Sequence, residues 1–365
     1  INTMASVVAI SAVVTLLWFA FGYSLAFTPG NGWIGGTSRF WFEGLSYLKD
    51  AGKVSVSHIA PNMPESVFSM FQLTFAIITP ALIVGAFVER MKFSAMLWFI
   101  VLWSLLVYAP VAHWVWEPGG WIARMGALDF AGGTVVHVNA GIAGLMCAYF
   151  IGPRRGYGRE AFEPFNLGLT MAGAGLLWVG WFGFNAGSAL AADSRAGMAM
   201  LATQLAAATA AVSWMGIEWL MRGRPSALGL VSGAVGGLVA VTPASGYVTP
   251  GSALLIGLVA GTGCYLGATA LKRMLGYDDA LDAFGIHGVG GIIGALLTGW
   301  LASPAIGGVR GNMLAQLAGV GATVLYSAAM TLVVLLVIDR LVGLRVDEAT
   351  EAEGLDLVEH GEVIA

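Results

Sequence analysis

Ten apolar runs, each close to the roughly 20 residues that an α-helix needs to cross a bilayer, divide this sequence and leave it few folds to choose from. They fall at 4–28, 66–88, 94–116, 132–152, 167–190, 196–221, 226–243, 250–271, 285–303 and 313–338. A soluble domain has too little interior to hide so many such runs. Composition agrees, with 58% of residues hydrophobic and 10% charged, against roughly 45–50% and about 25% in soluble domains. The expected fold class is all-α, a polytopic membrane helix bundle of ten spans set in a lipid bilayer. The 52 glycines suit that bundle, because small residues let membrane helices approach closely. Met4 to Phe27 has no charged segment ahead of it and reads as a full span, not as a signal peptide.

Several function classes drop out on the same grounds. A net charge of -4 with scattered basic residues gives no nucleic-acid footprint. Cys147 and Cys264 each lie inside an apolar run, which supports neither a disulfide framework nor a zinc site. No nucleophile elbow, metal cluster or phosphate loop is legible, so no cofactor and no enzymatic activity are expected.

An even number of spans puts both ends on one side. Arg90, Lys92, Arg154, Arg155, Arg159, Arg222, Arg224, Lys272, Arg273, Arg340 and Arg345 then share one face, eleven of the 17 basic residues, which makes that face cytoplasmic. The opposite face carries the longest loop, Pro29 to Glu65, and the Trp-rich segment Trp114 to Trp121, suited to a headgroup belt or an outer vestibule. The chain divides into a membrane domain, 1–338, and an acidic cytoplasmic tail, 339–365, too short to fold alone.

Two segments share a pattern foreign to ordinary spans: an acidic residue eight positions ahead of a histidine in an apolar helix. These are Asp129 with His137 and Asp279 with His287. The first aspartate lies outside and the second inside, so the copies run in opposite directions, and inverted repeats place a substrate path at their interface. An ionisable residue at such depth is costly and points to function. The bland alternative is a histidine satisfied by a neighbouring carbonyl. His58, His113 and His360 fall at the outer boundary or in the tail and read as solvated or interfacial groups.

The phrases DFAGGTVVHVNAGIAGL, WVGWFGFNAGSA and DDALDAFGIHGVGGIIGALLTG resemble the signature helices of bacterial ammonium transporters of the Amt/Rh family. The likeness extends to FGYSLAF, FQLTFAIITPALIVGAFVER, TPASGYV and the ending GLRVDEATEAEGLDLVEHGE. The resemblance implies that His137 and His287 are twin pore histidines and that Phe75 and Phe184 are a stacked ring gate above them. It implies an outer recruitment site at Trp116 and Ser188, buttressed by Asp129, and places Asp282 near the inner pore mouth. For both aspartates a capping role stands beside the proton-linked one. It further implies a homotrimer, and a tail, with Gly343, Arg345 and Gly354 in its GLRV and EGLD phrases, that docks a PII-type nitrogen regulatory protein. The sequence departs from the family in reading Glu-Pro-Gly-Gly between Trp116 and Trp121, where a plain glycine run is usual. The family also has an additional first helix, making eleven spans, and the match here starts at the second, so the expectation is a sequence that lacks that helix.

Physical chemistry says what such residues would do. Ammonium and potassium share charge and similar size, so discrimination has to use directional donors or a removable proton. A desolvated cation over an aromatic face gains about 2 kcal/mol or more, and a serine oxygen accepts an N–H that potassium lacks. A bare cation at the bilayer centre costs at least several kcal/mol, whereas deprotonating ammonium, with a pKa of roughly 9, costs about 3 kcal/mol at pH 7. The sequence thus leads to the expectation of ammonium recruitment, deprotonation and passage of ammonia past paired imidazoles, with accompanying proton transfer. The alternatives are an Rh-type channel for neutral ammonia and an ammonium sensor.

Overall fold

The computed structural model describes residues 1–48 and 52–362. Ten apolar helices build it: α1 (Asn2–Phe27), α2 (Glu65–Ala86), α3 (Phe93–Arg124), α4 (Gly133–Ile151), α5 (Leu167–Gly187), α6 (Ser194–Arg222), α7 (Ala227–Val241), α8 (Pro250–Leu275), α9 (Phe284–Leu301) and α10 (Met313–Val342). Among the described residues nine of these are long and apolar enough to cross a membrane, and α7, at the seventh apolar run, is shorter. Its 15 residues cover about 22 Å at 1.5 Å per residue, short of the roughly 30 Å hydrocarbon core. The chain continues through 242–247 as buried turns. Backbone of this kind is tolerated at depth when protein surrounds it. Here the carbonyl of Pro243 accepts from Phe130 N at 3.1 Å and that of Tyr247 from Ser303 N at 2.8 Å.

Polar residues fix where helices begin. Asn166, Asp193, Ser226, Thr249 and Asn312 each accept a first-turn N–H of α5, α6, α7, α8 and α10, satisfying donors that apolar surroundings leave bare. Glycine sets how closely the helices then pack. A Cβ on Gly141 would strike the backbone of Gly288, and one on Gly291 would meet the carbonyl of Gly133 and the Cβ of His137. Only glycine permits that backbone contact, and it is this crossing of α4 and α9 that carries the two histidines. On the far side α10 braces α4: Gln316 exchanges hydrogen bonds with both backbone groups of Leu128, and Ser327 Oγ donates to Asn139 O at 3.0 Å.

The long loop between α1 and α2 holds a two-stranded hairpin, Tyr47–Leu48 with Lys53–Val54, which leaves the all-α class intact. Beyond α10 the tail is strapped to the bundle. Lys92 N donates to Leu344 O at 2.9 Å and Val346 N to Arg90 O at 3.0 Å, and two short helices follow, α11 (Glu348–Glu353) and α12 (Leu355–His360). Residues 49–51 of the outer loop and 363–365 of the tail lie outside the described residues.

Candidate functional site

The aspartates eight residues ahead of the histidines cap the helices that bear them. Asp129 Oδ1 accepts from Gly132 and Gly133 N–H at 2.9 and 2.7 Å, and Oδ2 from Thr134 and Val135 at 3.0 and 3.1 Å. These are the donors a helix start leaves without intrahelical partners. Asp279 does less: Oδ2 accepts from Phe284 N at 2.8 Å, while Oδ1 is buried without a partner among the described residues. Burial pushes the Asp279 carboxyl up to about 6. Both helices open with a π-helical turn, Gly133–Val138 holding His137 and Phe284–Gly288 holding His287. Such turns are rare and concentrate at functional sites.

His137 and His287 meet nearly ring to ring. Their Nδ1 atoms stand 3.2 Å apart, with ring centroids at 5.3 Å and planes 18° from parallel. His137 is 1% exposed, and its Nε2 has no partner among the described residues. Trp181 stacks on His137 at 5.4 Å and 15°, held by its Nε1 donating to Thr242 Oγ1 at 2.9 Å. A hydrogen bond between two Nδ1 atoms fixes complementary tautomers in neutral rings: the donor ring presents a bare Nε2 and the acceptor ring an Nε2–H. The pair therefore holds one acceptor and one donor.

The aromatic residues form a continuous column leading away from the pair. Phe184 lies 6.1 Å from His137 and 4.3 Å from Phe75, tilted by 39°. Phe75 meets Trp116 edge-on at 5.5 Å, and Trp116 stacks on Phe27 at 6.2 Å. Trp116 Nε1 donates to Asp129 O at 2.9 Å, which ties the outer ring to the cap of α4. Ser188 Oγ donates to Phe184 O at 2.9 Å, leaving its lone pairs to accept. Six helices, α1, α2, α3, α4, α5 and α9, thus contribute to one column.

Asp282 lies apart from it. It adopts a left-handed backbone with φ 56°, and its Oδ1 accepts from Lys272 Nζ at 2.8 Å. His113 departs from the reading as an interfacial group: it is fully buried, with Nδ1 3.1 Å from Ala26 O and Nε2 2.8 Å from Asn31 O. The outer loop folds over the end of α3 and removes that ring from solvent. In the tail, Gly343 (φ 71°) and Gly354 (φ 102°) occupy conformations that favour glycine. Arg345 donates to the carbonyls of Ile151 and Pro153 and pairs with Glu351 at 2.8 Å. Glu351 also accepts the N–H of Arg155 at 2.7 Å. Arg154 grips Asp278 and not the tail, with Nε and Nη2 both at 2.9 Å. Burial pushes the Asp278 carboxyl up, but Arg154 and Arg90 outweigh it and hold the group below the usual carboxylate range.

Trp181 and Thr242 escaped the sequence reading, although Trp181 stands three residues before Phe184 and so shares its helix face. The pairing of His58 with Glu117 at 3.0 Å bridges 59 residues and had no local signal.

The sequence matches the family described as Ammonium Transporter Family over residues 1–364. The chain is 50% identical to an ammonium transporter of Aquifex aeolicus over 370 residues, covering 99% of this chain and 84% of that protein. Among solved structures it resembles Saccharomyces cerevisiae Mep2, with a TM-score of 0.86 and 37% identity over 93% of this chain and 78% of the other. It also resembles a protein described as a sensor Amt protein, with a TM-score of 0.88 and 29% identity over 97% and 88%. Relatives this close along nearly the whole chain, together with a multi-pass helix bundle, show that the chain is a membrane protein belonging to the Ammonium Transporter Family.

Proposed function

We propose that this chain moves ammonium across the cytoplasmic membrane by taking the ion apart and carrying ammonia past His137 and His287. The observation that carries this reading is the 3.2 Å Nδ1 contact between the two rings directly beneath the Phe75 and Phe184 pair. The cation is recruited over the face of Trp116, where cation–π attraction acts, and Ser188 Oγ accepts one of its N–H groups. Phe75 and Phe184 part to admit it, and the dry surroundings beyond them favour the neutral form.

The histidines then serve two solutes. Ammonia finds an acceptor and a donor in turn along the pair. A proton follows by relay. The bare Nε2 of one ring takes it up, that ring's Nδ1–H passes to the other ring's Nδ1, and the second ring releases its own Nε2–H. Each ring ends neutral with the two tautomers exchanged, and a second proton passes the same way only after the pair has returned to its first tautomers.

The basic face and the tail lie in the cytoplasm in this reading, and three copies assemble side by side. The strapped tail, with Gly343, Arg345 and Gly354, presents the surface to which a PII-type regulator docks. The test of the pathway is ammonium flux into proteoliposomes that report internal pH. Replacing His137 or His287 with Ala abolishes or alters selective conduction while the protein stays folded in detergent. Wild-type flux in both variants would move the pathway elsewhere.

A further inference from the structure

The phrase that departs from the family pattern puts a carboxylate directly after the indole of the outer site. Glu117 is only 4% exposed. Its backbone closes the main body of α3, donating to His113 O at 3.2 Å and accepting from Gly120 N at 2.8 Å. Its side chain has two partners: Oε2 accepts the N–H of Gly119, and Oε1 stands 3.0 Å from His58 Nε2. His58 comes from the outer loop with its side chain 41% exposed. The loop is stitched to the same stretch elsewhere, through Trp114 Nε1 on Trp33 O at 2.7 Å and Trp121 N on Gly32 O at 3.1 Å. Trp116 meanwhile contacts Phe75 and Phe27.

The other charges nearby are few. A Cβ on Gly119 would lie 2.6 Å from Glu117 Oε2 and 3.5 Å from Arg124 Nη2, so the guanidinium of Arg124, in the last turn of α3, stands beside the carboxylate as a permanent positive charge. Further along the loop, Glu65 accepts from Tyr23 at 2.9 Å and is neutralised by Arg39 at 2.9 and 3.1 Å. Among the described residues His58 is the ionisable side chain in hydrogen-bond contact with Glu117, and an imidazole exists in a neutral and a cationic form.

We propose that Glu117 and His58 form an electrostatic recruitment element that responds to external pH, resting on the reading that ammonium is taken up at Trp116. With His58 neutral, the carboxylate adds its potential to the face of Trp116 and draws cations to the outer mouth. A proton taken by His58 from outside cancels that charge and weakens recruitment. Field lines in a low-dielectric wall reach several Å, so the element acts without touching the ion.

The experiment is the half-saturating ammonium concentration of proteoliposome currents at external pH of about 7.5 and about 5.5. Ammonium, with a pKa of roughly 9, remains almost wholly protonated at both. The wild type is expected to half-saturate at about threefold lower concentration at the higher pH, a Coulombic effect at this range. Glu117→Gln keeps an acceptor for the Gly119 N–H and is expected to show the higher value at both. His58→Lys, permanently charged, matches it, and His58→Gln holds the low value at both. Maximal currents stay near wild type throughout. A wild-type half-saturation in Glu117→Gln at the higher pH, or a wild-type pH response in His58→Gln, overturns the proposal. An unchanged half-saturation in Trp116→Ala overturns the outer site itself, and the proposal with it.

Discussion

At the scale of single residues, the two aspartates of the inverted repeat show how one motif serves unequal ends. Asp129 saturates both oxygens with four backbone donors, whereas Asp279 leaves Oδ1 bare in the interior. Removing the Asp129 carboxylate strands four buried N–H groups, each costing roughly 1–3 kcal/mol. Asp129→Ala is therefore expected to lose the folded transporter, while Asp129→Asn retains one acceptor oxygen and gives a folded protein of lower thermal stability. Thermal unfolding in detergent measures both, and an Ala variant with an unchanged transition would show that the cap is dispensable. The caps were legible as acidic residues at fixed spacing from the histidines. Their division of labour was not, because it depends on how the chain turns between residues 129 and 135, which spacing alone does not specify.

At the scale of elements, apolar length located the helices and glycine content announced close packing, but neither fixed their internal geometry. The π turns at His137 and His287 shift each ring relative to a regular α-helix, and apolar runs carry no trace of them. Helix α7 shows the converse limit. Its run continued to residue 243, but Pro243 lacks an N–H and Gly246 packs against the ring of Phe130, so the chain turns early inside the protein. The tail is the third case, since its acidic composition suggested an arm while Leu344, Val346 and Leu355 are buried in the fold. Gly343, at φ 71° and ψ 134°, sits where a side chain is strained, and a Cβ there would press on Lys92 Nζ. Gly343→Asp is expected to free the strap from residues 90–92 and expose Arg345 to trypsin under native conditions. Cleavage no faster than in the wild type would mean that the strap tolerates a side chain at this turn.

At the scale of the whole molecule, the apolar exterior is as informative as the column inside it. Among the described residues, helix α5 buries only Trp181 and Asn185, and Leu176 and Val179 stand 76% and 68% exposed, a surface suited to lipid. Trp181 and the half-buried Phe184 join the column around His137, while Asn185 Nδ2 donates to Thr203 Oγ1 at 2.9 Å. The molecule thus exposes apolar surface to the membrane and concentrates polar nitrogen at one crossing of α4 and α9. In the proposed pathway this crossing admits ammonia and a relayed proton but no intact alkali cation. The most direct measurement is the current evoked by ammonium and by potassium pulses on supported proteoliposomes, for the wild type and for His137→Ala and His287→Ala. The account predicts an ammonium current without a potassium current in the wild type, and loss of the current or of that discrimination in the variants. Equal ammonium currents and equal rejection of potassium in all three proteins would contradict it.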